Sequence, residues 1–303
     1  MHEHVVVSSP EFSRDYPELA WPSGRDAEIE RIRALLSEVR ARGIQTILDC
    51  TVFLHGRDME FLAQVNEGID INLVVSTGIY SYDWLPYVVK FRVPDRPEND
   101  MLTKMFIRDL EIGVGDSGVL AQNIKVATDA EGITAANERM LRAAAAASVA
   151  TGAPITTHTH HVDKVGLPQL GIFAEMGVDL QKVIIGHSGD STDLDYLRRV
   201  MDTGAVIASD RFGLNGAGRA TEEERIDVIA ALCTEGYADR IVIAHDSLMS
   251  CDWLDSFDKY PAEWTPTHIS DSILPALKAT GVSDEDIDTI LVRNPARILG
   301  WKE

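Results

Sequence analysis

Histidine and aspartate recur in this 303-residue chain where short β-branched runs stop. His2 and His4 stand beside the first such run, His158 closes Pro154 to Thr157, His187 follows Lys182 to Gly186, and Asp246 follows Arg240 to Ala244. His2 and His4 are two residues apart, so on an extended segment both rings leave one face while Glu3 points away. Neutral imidazole nitrogens and carboxylate oxygens together suit zinc or a similar first-row divalent ion. Taken alone, a His-x-His at a terminus is a surface feature. Joined to His158, His187 and Asp246, each ending a separate run, it reads as one part of a metal site.

Other residues at the run ends are polar too: Asp49, Lys125, Asp210 and Arg211. Lys125, flanked by Ile124 and Val126, reads by itself as an edge residue with a solvated head. Within Thr157-His158-Thr159-His160-His161, the histidine nearest the strand is the expected ligand and the other two belong to a loop. His55 and His268 read as surface or packing residues, and His245 faces the opposite side of its strand from Asp246. A serine mechanism fails on the pattern. Gly186-His187-Ser188-Gly189-Asp190 has Asp190 where a nucleophile elbow needs glycine, and no His-Gly-Gly-Gly oxyanion motif precedes it.

Residues so far apart in the chain meet only if the runs are strands of one sheet. The runs are His4 to Val7, Ile44 to Cys50, Ile71 to Thr77, Asn123 to Thr128, Pro154 to Thr157, Lys182 to Gly186, Ala205 to Ser209 and Arg240 to Ala244. Amphipathic stretches separate them, the first from about Asp26 to Arg42, where Ile29, Ile32, Leu35, Leu36 and Val39 recur at helical spacing before Gly43. Further helices are expected near Arg57 to Glu67, Leu102 to Ile112, Asn137 to Ala150, Leu167 to Met176 and Glu222 to Cys233, and after the Asp190 to Asp193 cap; one near Ile269 to Ala279 completes the set. Eight strands, each followed by a helix, predict a (β/α)8 TIM barrel in one domain over residues 1–303. A doubly wound open sheet alternates similarly, but neither G-x-G-x-x-G nor G-x-x-x-x-G-K-[ST] occurs. In a barrel the carboxyl ends of the strands share one mouth, where the chemistry sits.

Composition narrows the function further. Lys plus Arg is 28 against 48 Asp plus Glu, a net charge of −20 that repels a phosphate backbone and anionic lipid alike. No nucleic-acid or membrane partner is expected. Charged residues interrupt every apolar stretch well short of the roughly 18 residues of a membrane span. The three cysteines, Cys50, Cys233 and Cys251, form no Cys-x-x-Cys pair, which fits a reducing cytoplasm and neither a disulfide framework nor a thiolate zinc site. No secretory signal opens the sequence as it stands.

Together, His2-Glu3-His4, the strand Asn123 to Thr128, Pro154 to Thr159, Ile185-Gly186-His187, Ser209-Asp210-Arg211-Phe212-Gly213 and Ala244-His245-Asp246 resemble the phosphotriesterase family of the amidohydrolase superfamily, in particular its phosphotriesterase-like lactonases. The resemblance runs over nearly the whole chain. It implies a binuclear centre in which His2, His4 and Asp246 hold the more buried ion and His158 and His187 the more exposed one. A carboxylated Lys125 and a hydroxide would bridge the two. Zinc is the first choice of metal, and cobalt, manganese or iron accepts the same shell. Two cations lower the pKa of a shared water and polarise the substrate oxygen, while Asp246 carries a proton to the leaving group.

The same resemblance implies opening of N-acyl homoserine lactones or related γ- and δ-lactones, with phosphotriester hydrolysis as a side activity. Gly78-Ile79-Tyr80-Ser81-Tyr82 is similar to the lactonase segment whose first tyrosine sits beside the metals, and Asp210-Arg211-Phe212-Gly213 is similar to the lactonase Asp-Arg-Tyr-Gly. Tyr80 is thus expected at the bridging hydroxide or the leaving alkoxide, and Arg211 at the loop or the substrate's polar head. The substrate would be a small lactone or organophosphate, and the family implies a homodimer. A phosphotriesterase or carboxylesterase proper, and a non-catalytic homologue, are the alternatives. Two features depart from the pattern. After Asp246 the chain reads Ser247-Leu248-Met249-Ser250 where several relatives carry Tyr-Cys-Cys or Ala-Cys-Cys, and the ligands on the first strand lie so close to residue 1 that this strand is expected to be truncated.

Overall fold

The computed structural model describes residues 1–160, 162–216, 218–254 and 256–300. Seven of the expected runs form strands: β1 (Thr46–Asp49), β2 (Asn72–Gly78), β3 (Asn123–Ala127), β4 (Ile155–His158), β5 (Val183–Ile185), β6 (Val206–Ser209) and β7 (Ile241–Ile243). They pair in parallel in chain order. Parallel neighbours need long crossovers, and the amphipathic stretches supply them as helices. Between the two edges lies the amino-terminal segment, with single bridges from Glu3 to Asp49, His4 to Leu248 and Val7 to Cys251. The sheet therefore curls round on itself, consistent with a TIM-like barrel.

The run His4 to Val7 was expected as an eighth strand, and it does not form one. Glu3 exchanges backbone hydrogen bonds with Leu48 and Cys50, whereas His4 exchanges them with Ser247 and Met249. Toward β1 the pairing stops after Glu3, and on the other side the next residue to pair after His4 is Val7, with Ser250 and Asp252, so single bridges stand in place of a ladder.

Side chains along the strands alternate between two layers, as a pleated strand requires. Ile184, Val206, Ala208 and Val242 point to the barrel interior and cluster with Ile298, which closes it from below. Val183, Ile185, Ile207, Ile241 and Ile243 point outward and pack with the helices. Helix Arg25–Ala41 buries Ile29, Ile32, Leu36 and Val39 along one stripe. Helix Ala135–Thr151 starts at a reciprocal cap between Thr134 and Asn137 and stops at left-handed Gly152. Its alanines 143, 144, 145 and 147 are fully buried against Ile124, Val126 and Ile155, small side chains in an outer layer that leaves no room for larger ones.

The last helix does not end the chain. Ile269–Ala279 divides into a π-helical turn, Ile269–Ile273, and an α-helix, Leu274–Ala279; Asp284–Asp288, a second π turn Thr289–Arg293 and Asn294–Leu299 follow. Pro275 and Pro295 lack the N–H that would continue an α-helical ladder, which accounts for a wider turn ahead of each. No helix among the described residues is long and apolar enough to cross a membrane.

Candidate metal centre

The two-residue alternation that buries Thr156 and Ala208 inside the barrel also aims His158 and Asp210 inward at the mouth. Lys125 takes the same parity on β3, where all five residues are buried. His187 has the parity of outward-facing Ile185, and its left-handed backbone, φ 60°, ends the strand and turns the ring into the mouth. Asp246 is left-handed too, at φ 52°. Such conformations in non-glycine residues cost about 1–3 kcal/mol and persist where surrounding bonds over-determine them. Here His187 N donates to Asp210 Oδ1 at 2.8 Å and Asp246 N to His2 O at 3.0 Å.

All six residues read as ligands come together. Lys125 Nζ lies 2.9 Å from His2 Nε2, and His158 Nδ1 lies 2.9 Å from His187 Nε2. Asp246 Oδ1 is 3.2 Å from His2 Nε2 and 3.3 Å from His4 Nε2. His2, His4, Lys125, His158 and His187 are each at most 5% exposed. Ligand atoms of His2, His4 and Asp246 fall within 4.8 Å of one another, as do those of His2, His187 and Asp210.

The chemistry of this donor set fits divalent cations. Nitrogens face nitrogens across the mouth, and each imidazole turns its other nitrogen outward to an oxygen. His2 Nδ1 meets Asp210 Oδ2 at 2.6 Å, His187 Nδ1 meets Asp210 Oδ1 at 3.0 Å, His4 Nδ1 meets Thr51 Oγ1 at 2.9 Å and His158 Nε2 meets Asp129 Oδ2 at 2.7 Å. That is how metal-binding histidines are oriented in general, with the outer N–H tied to a carboxylate or oxygen and the inner nitrogen left to coordinate.

Electrostatics agree. Burial, then Arg211 and Lys125, push the His158 pKa down to about 4 against the pull of Asp129, so its ring is neutral and able to coordinate at neutral pH. Burial, followed by Arg211, holds His187 well below the ordinary histidine range. Burial opposes charge on His2, but Cys50, Asp246 and Asp210 outweigh it and raise its pKa to about 10, so this point favours a positive charge. Burial first of all lowers the Lys125 pKa. Asp246 stays ionised despite burial because His2, His187, His4 and Arg211 surround it.

Arg211 is placed as a clamp. Its Nε donates to Asp246 Oδ2 at 3.1 Å and its Nη1 to Asp190 Oδ2 at 2.9 Å. Arg225, fully buried behind it, donates to Asp190 Oδ1 at 2.7 Å. Tyr80 stands across the mouth, its ring 5.7 Å from that of His158 and its hydroxyl bonded to that of Tyr82. Burial and Tyr82 keep Tyr80 well above the usual phenol pKa, hence neutral. Gly78 lets this segment approach β3, since a Cβ there would lie 1.9 Å from Lys125 O.

Several residues with a place here were not singled out from the sequence. Asp129 and Thr51 orient ligands; each lies just past a strand end, a position that would have found them. Asp210 was noted only as a polar strand end, yet it holds two histidines. His55, read as a surface or packing residue, is 4% exposed and lines the mouth, its ring 5.0 Å from that of His4. The remaining histidines keep to their expected places. His245 turns away from the mouth to Glu3 at 2.7 Å, His268 meets Glu222 at 2.7 Å, and His160 bonds Asp163 in its loop at 2.5 Å. His161 lies outside the described residues. Ser188 Oγ donates to Ile185 O at 2.7 Å, in keeping with the failed serine pattern.

Comparison with known proteins agrees over the same length. The phosphotriesterase family pattern matches residues 1–299. The phosphotriesterase homology protein of Mycobacterium tuberculosis is 42% identical over 98% of this chain and 91% of its own length. The aryldialkylphosphatase of Saccharolobus solfataricus is 35% identical over 98% of this chain and 93% of its own. A solved variant of the PTE-like lactonase of Deinococcus radiodurans superposes with a TM-score of 0.89 at 33% identity, covering 99% of this chain and 94% of that one. The chain belongs to the phosphotriesterase family and is a metal-dependent hydrolase of ester bonds.

Proposed function

We propose that this hydrolase opens lactones, N-acyl homoserine lactones or related γ- and δ-lactones, and turns over phosphotriesters as a side activity. The observation that carries the reading is that one donor set has the Tyr80 phenol beside His158, ring to ring at 5.7 Å, and the Asp246 carboxylate beside His2 and His4 at 3.2 and 3.3 Å. A lactone leaves as an alkoxide, which needs a proton, whereas an aryl phosphate leaves as a stabilised phenoxide, which does not. A site with a hydrogen-bond donor and a carboxylate proton carrier beside the scissile bond serves the first need. Similarity to a PTE-like lactonase supports it as well.

In this reading His2, His4 and Asp246 hold one divalent ion, His158 and His187 a second, and Lys125 lies between them. Zinc suits these donors, and cobalt, manganese or iron also does. When bound, the pair supplies a water ionised near neutral pH and an electrophile for the ester oxygen. Lys125, its amine favoured over ammonium by burial, adds to carbon dioxide through its nitrogen and releases one proton, becoming a carbamate with two donor oxygens. Asp246 would take the one proton left on the attacking hydroxide after it adds to the carbonyl and pass it to the departing alkoxide. Arg211 positions the Asp246 carboxylate for that transfer, and Tyr80 hydrogen-bonds the departing oxygen. The chain acts as a homodimer on a small neutral ester.

The second reading, a phosphotriesterase proper, draws on the similarity to an aryldialkylphosphatase. The two separate on the ratio of kcat/KM for a long-chain N-acyl homoserine lactone to that for an aryl dialkyl phosphate, on protein of confirmed metal content. A ratio far above one is expected. A ratio far below one would transfer the assignment to phosphotriesters, and no turnover of either would overturn both readings in favour of a carboxylesterase.

A further inference from the structure

Behind the Arg211 clamp the charges do not balance. Three guanidiniums converge on the buried carboxylate of Asp190: Arg225 donates to Oδ1 at 2.7 Å, Arg211 to Oδ2 at 2.9 Å, and Arg219 Nε stands 3.8 Å from Oδ2. Only the first two are within hydrogen-bond distance. Arg211 also holds Asp246, and Arg225 adds Asn215 Oδ1 at 3.1 Å and Leu214 O at 3.3 Å. Arg219 is left as a cation without a carboxylate of its own, in a chain whose net charge is −20.

The loop after β6 fixes its place. Arg219 N and Nη1 donate to Gly216 O at 3.2 and 3.1 Å, and Ala220 N donates to Asp190 O at 3.1 Å. Nε and Nη2, the two donors along the other edge of the guanidinium, make no hydrogen bond among the described residues and are not shut off from solvent. Such an edge can grip a carboxylate with two parallel bonds. Solvent reaches 22% of the Arg219 side chain, 15% of Arg211 and 14% of Asp246, and none of Asp190. Burial first, then Arg211, lower the Arg219 pKa; Asp190 opposes them and Arg225 adds to the push. A field that disfavours one more cation favours an anion beside it.

Ester hydrolysis supplies that anion. Water opening a neutral lactone breaks the bond between the carbonyl carbon and the ring oxygen and gives a hydroxy acid, which releases its carboxyl proton at neutral pH. The substrate arrives uncharged and the product leaves negative. Through Asp190 and Arg211, Arg219 is linked to Asp246 at the donor set. Resting on the lactonase reading above, we propose that Arg219 binds the carboxylate of the ring-opened product, drawing the new anion off the donor set toward solvent. The site distinguishes product from substrate by charge alone.

The experiment measures the inhibition constant Ki of N-hexanoyl homoserine, the ring-opened acid, and the KM of the parent lactone in the metal-loaded wild type, Arg219→Gln and Arg219→Lys. The ratio of Ki to KM is expected to rise roughly tenfold in Arg219→Gln, the scale of one charge-assisted hydrogen bond, and Arg219→Lys recovers part of it. A ratio unchanged in Arg219→Gln at wild-type metal content overturns the proposal. A second readout needs neither turnover nor a stable glutamine variant: the Arg219 Nε–H signal in the NMR spectrum of the wild type, assigned by its loss in Arg219→Lys. It is expected to shift on adding N-hexanoyl homoserine and not on adding the neutral N-hexanoyl homoserine amide. No shift, or the same shift with both, overturns the proposal. Should the wild type hydrolyse phosphotriesters and no lactone, the lactonase reading fails; the same signal on adding diethyl phosphate, the anion left by that reaction, then decides for or against Arg219.

Discussion

The mouth of the barrel has two sides built on opposite rules. On the ligand side every imidazole is fixed at both nitrogens, by Asp210, Thr51 or Asp129 behind and by a facing donor in front. On the aromatic side Tyr80, Tyr82, His55 and Trp253 touch through ring faces and edges, and His55 keeps an uncommitted nitrogen. Hydrogen bonds to carboxylate and hydroxyl oxygens hold geometry tightly, whereas ring packing fixes position with little directional bonding. The first side accordingly suits chemistry common to every substrate of the family, and the second suits choosing among them.

That division is open to being broken. In the proposed mechanism Asp246→Asn removes a ligand and a proton carrier together, and metal-assisted polarisation alone is worth several kcal/mol, so kcat/KM should fall at least about 10²- to 10³-fold on lactone and phosphotriester alike. A loss confined to one substrate class would mean that the ligand side also selects substrates. Asp210→Asn should come next. It loosens His2 and His187 at once and should lower metal affinity or activity about 10- to 100-fold, the usual effect of removing such an orienting partner. Asp129→Asn, which frees only His158, should cost less, and metal titration of the two variants checks the order.

The smallest effect belongs to a residue hidden behind the ligands. Glu3 accepts bonds from the backbone and side chains of His245 and Ser247. Burial opposes its ionisation, but His245 and then Ser247 outweigh burial and hold its pKa at about 2 rather than 4.5. A depressed carboxylate stabilises the fold in full above its unfolded value, and that contribution disappears as pH falls through the folded value. In the presence of chelator, then, Glu3→Gln should melt below the wild type at pH 6, and the gap should close between about pH 4.5 and 2. A gap independent of pH would assign the effect to packing, and the carboxylate would have no part in it.

Much of this was legible in the residues. Short β-branched runs located β1 to β7 to within a few residues, because a strand buried on both faces is a continuous apolar run between turn signals. The candidate ligands stood out because a histidine or aspartate closing such a run has no packing reason to be there. The amino-terminal run misled for a local reason: Val5, Val6 and Val7 are buried as strand residues are, yet the segment bridges its neighbours only at Glu3, His4 and Val7. The carboxyl-terminal helix Asn294–Leu299 was missed because Pro295 interrupts the pattern, although Ile298 and Leu299 from it help fill the barrel.

His55 marks the limit most clearly. Nothing in Phe53-Leu54-His55-Gly56 distinguishes a surface histidine from one pressed against a catalytic mouth. The sequence by itself determined the alternation of strands and helices and marked six polar side chains that the fold brings together, because these depend on side-chain type and on spacing along one segment. Only the tertiary structure decided that Asp210 serves two histidines, that Arg211 is spent on Asp190 and Asp246, and that His55 faces Tyr80 with a nitrogen unpaired. Each of these depends on distances between segments far apart in the chain, and on backbone turns at Leu54, His187 and Asp246 that local preference alone would not choose.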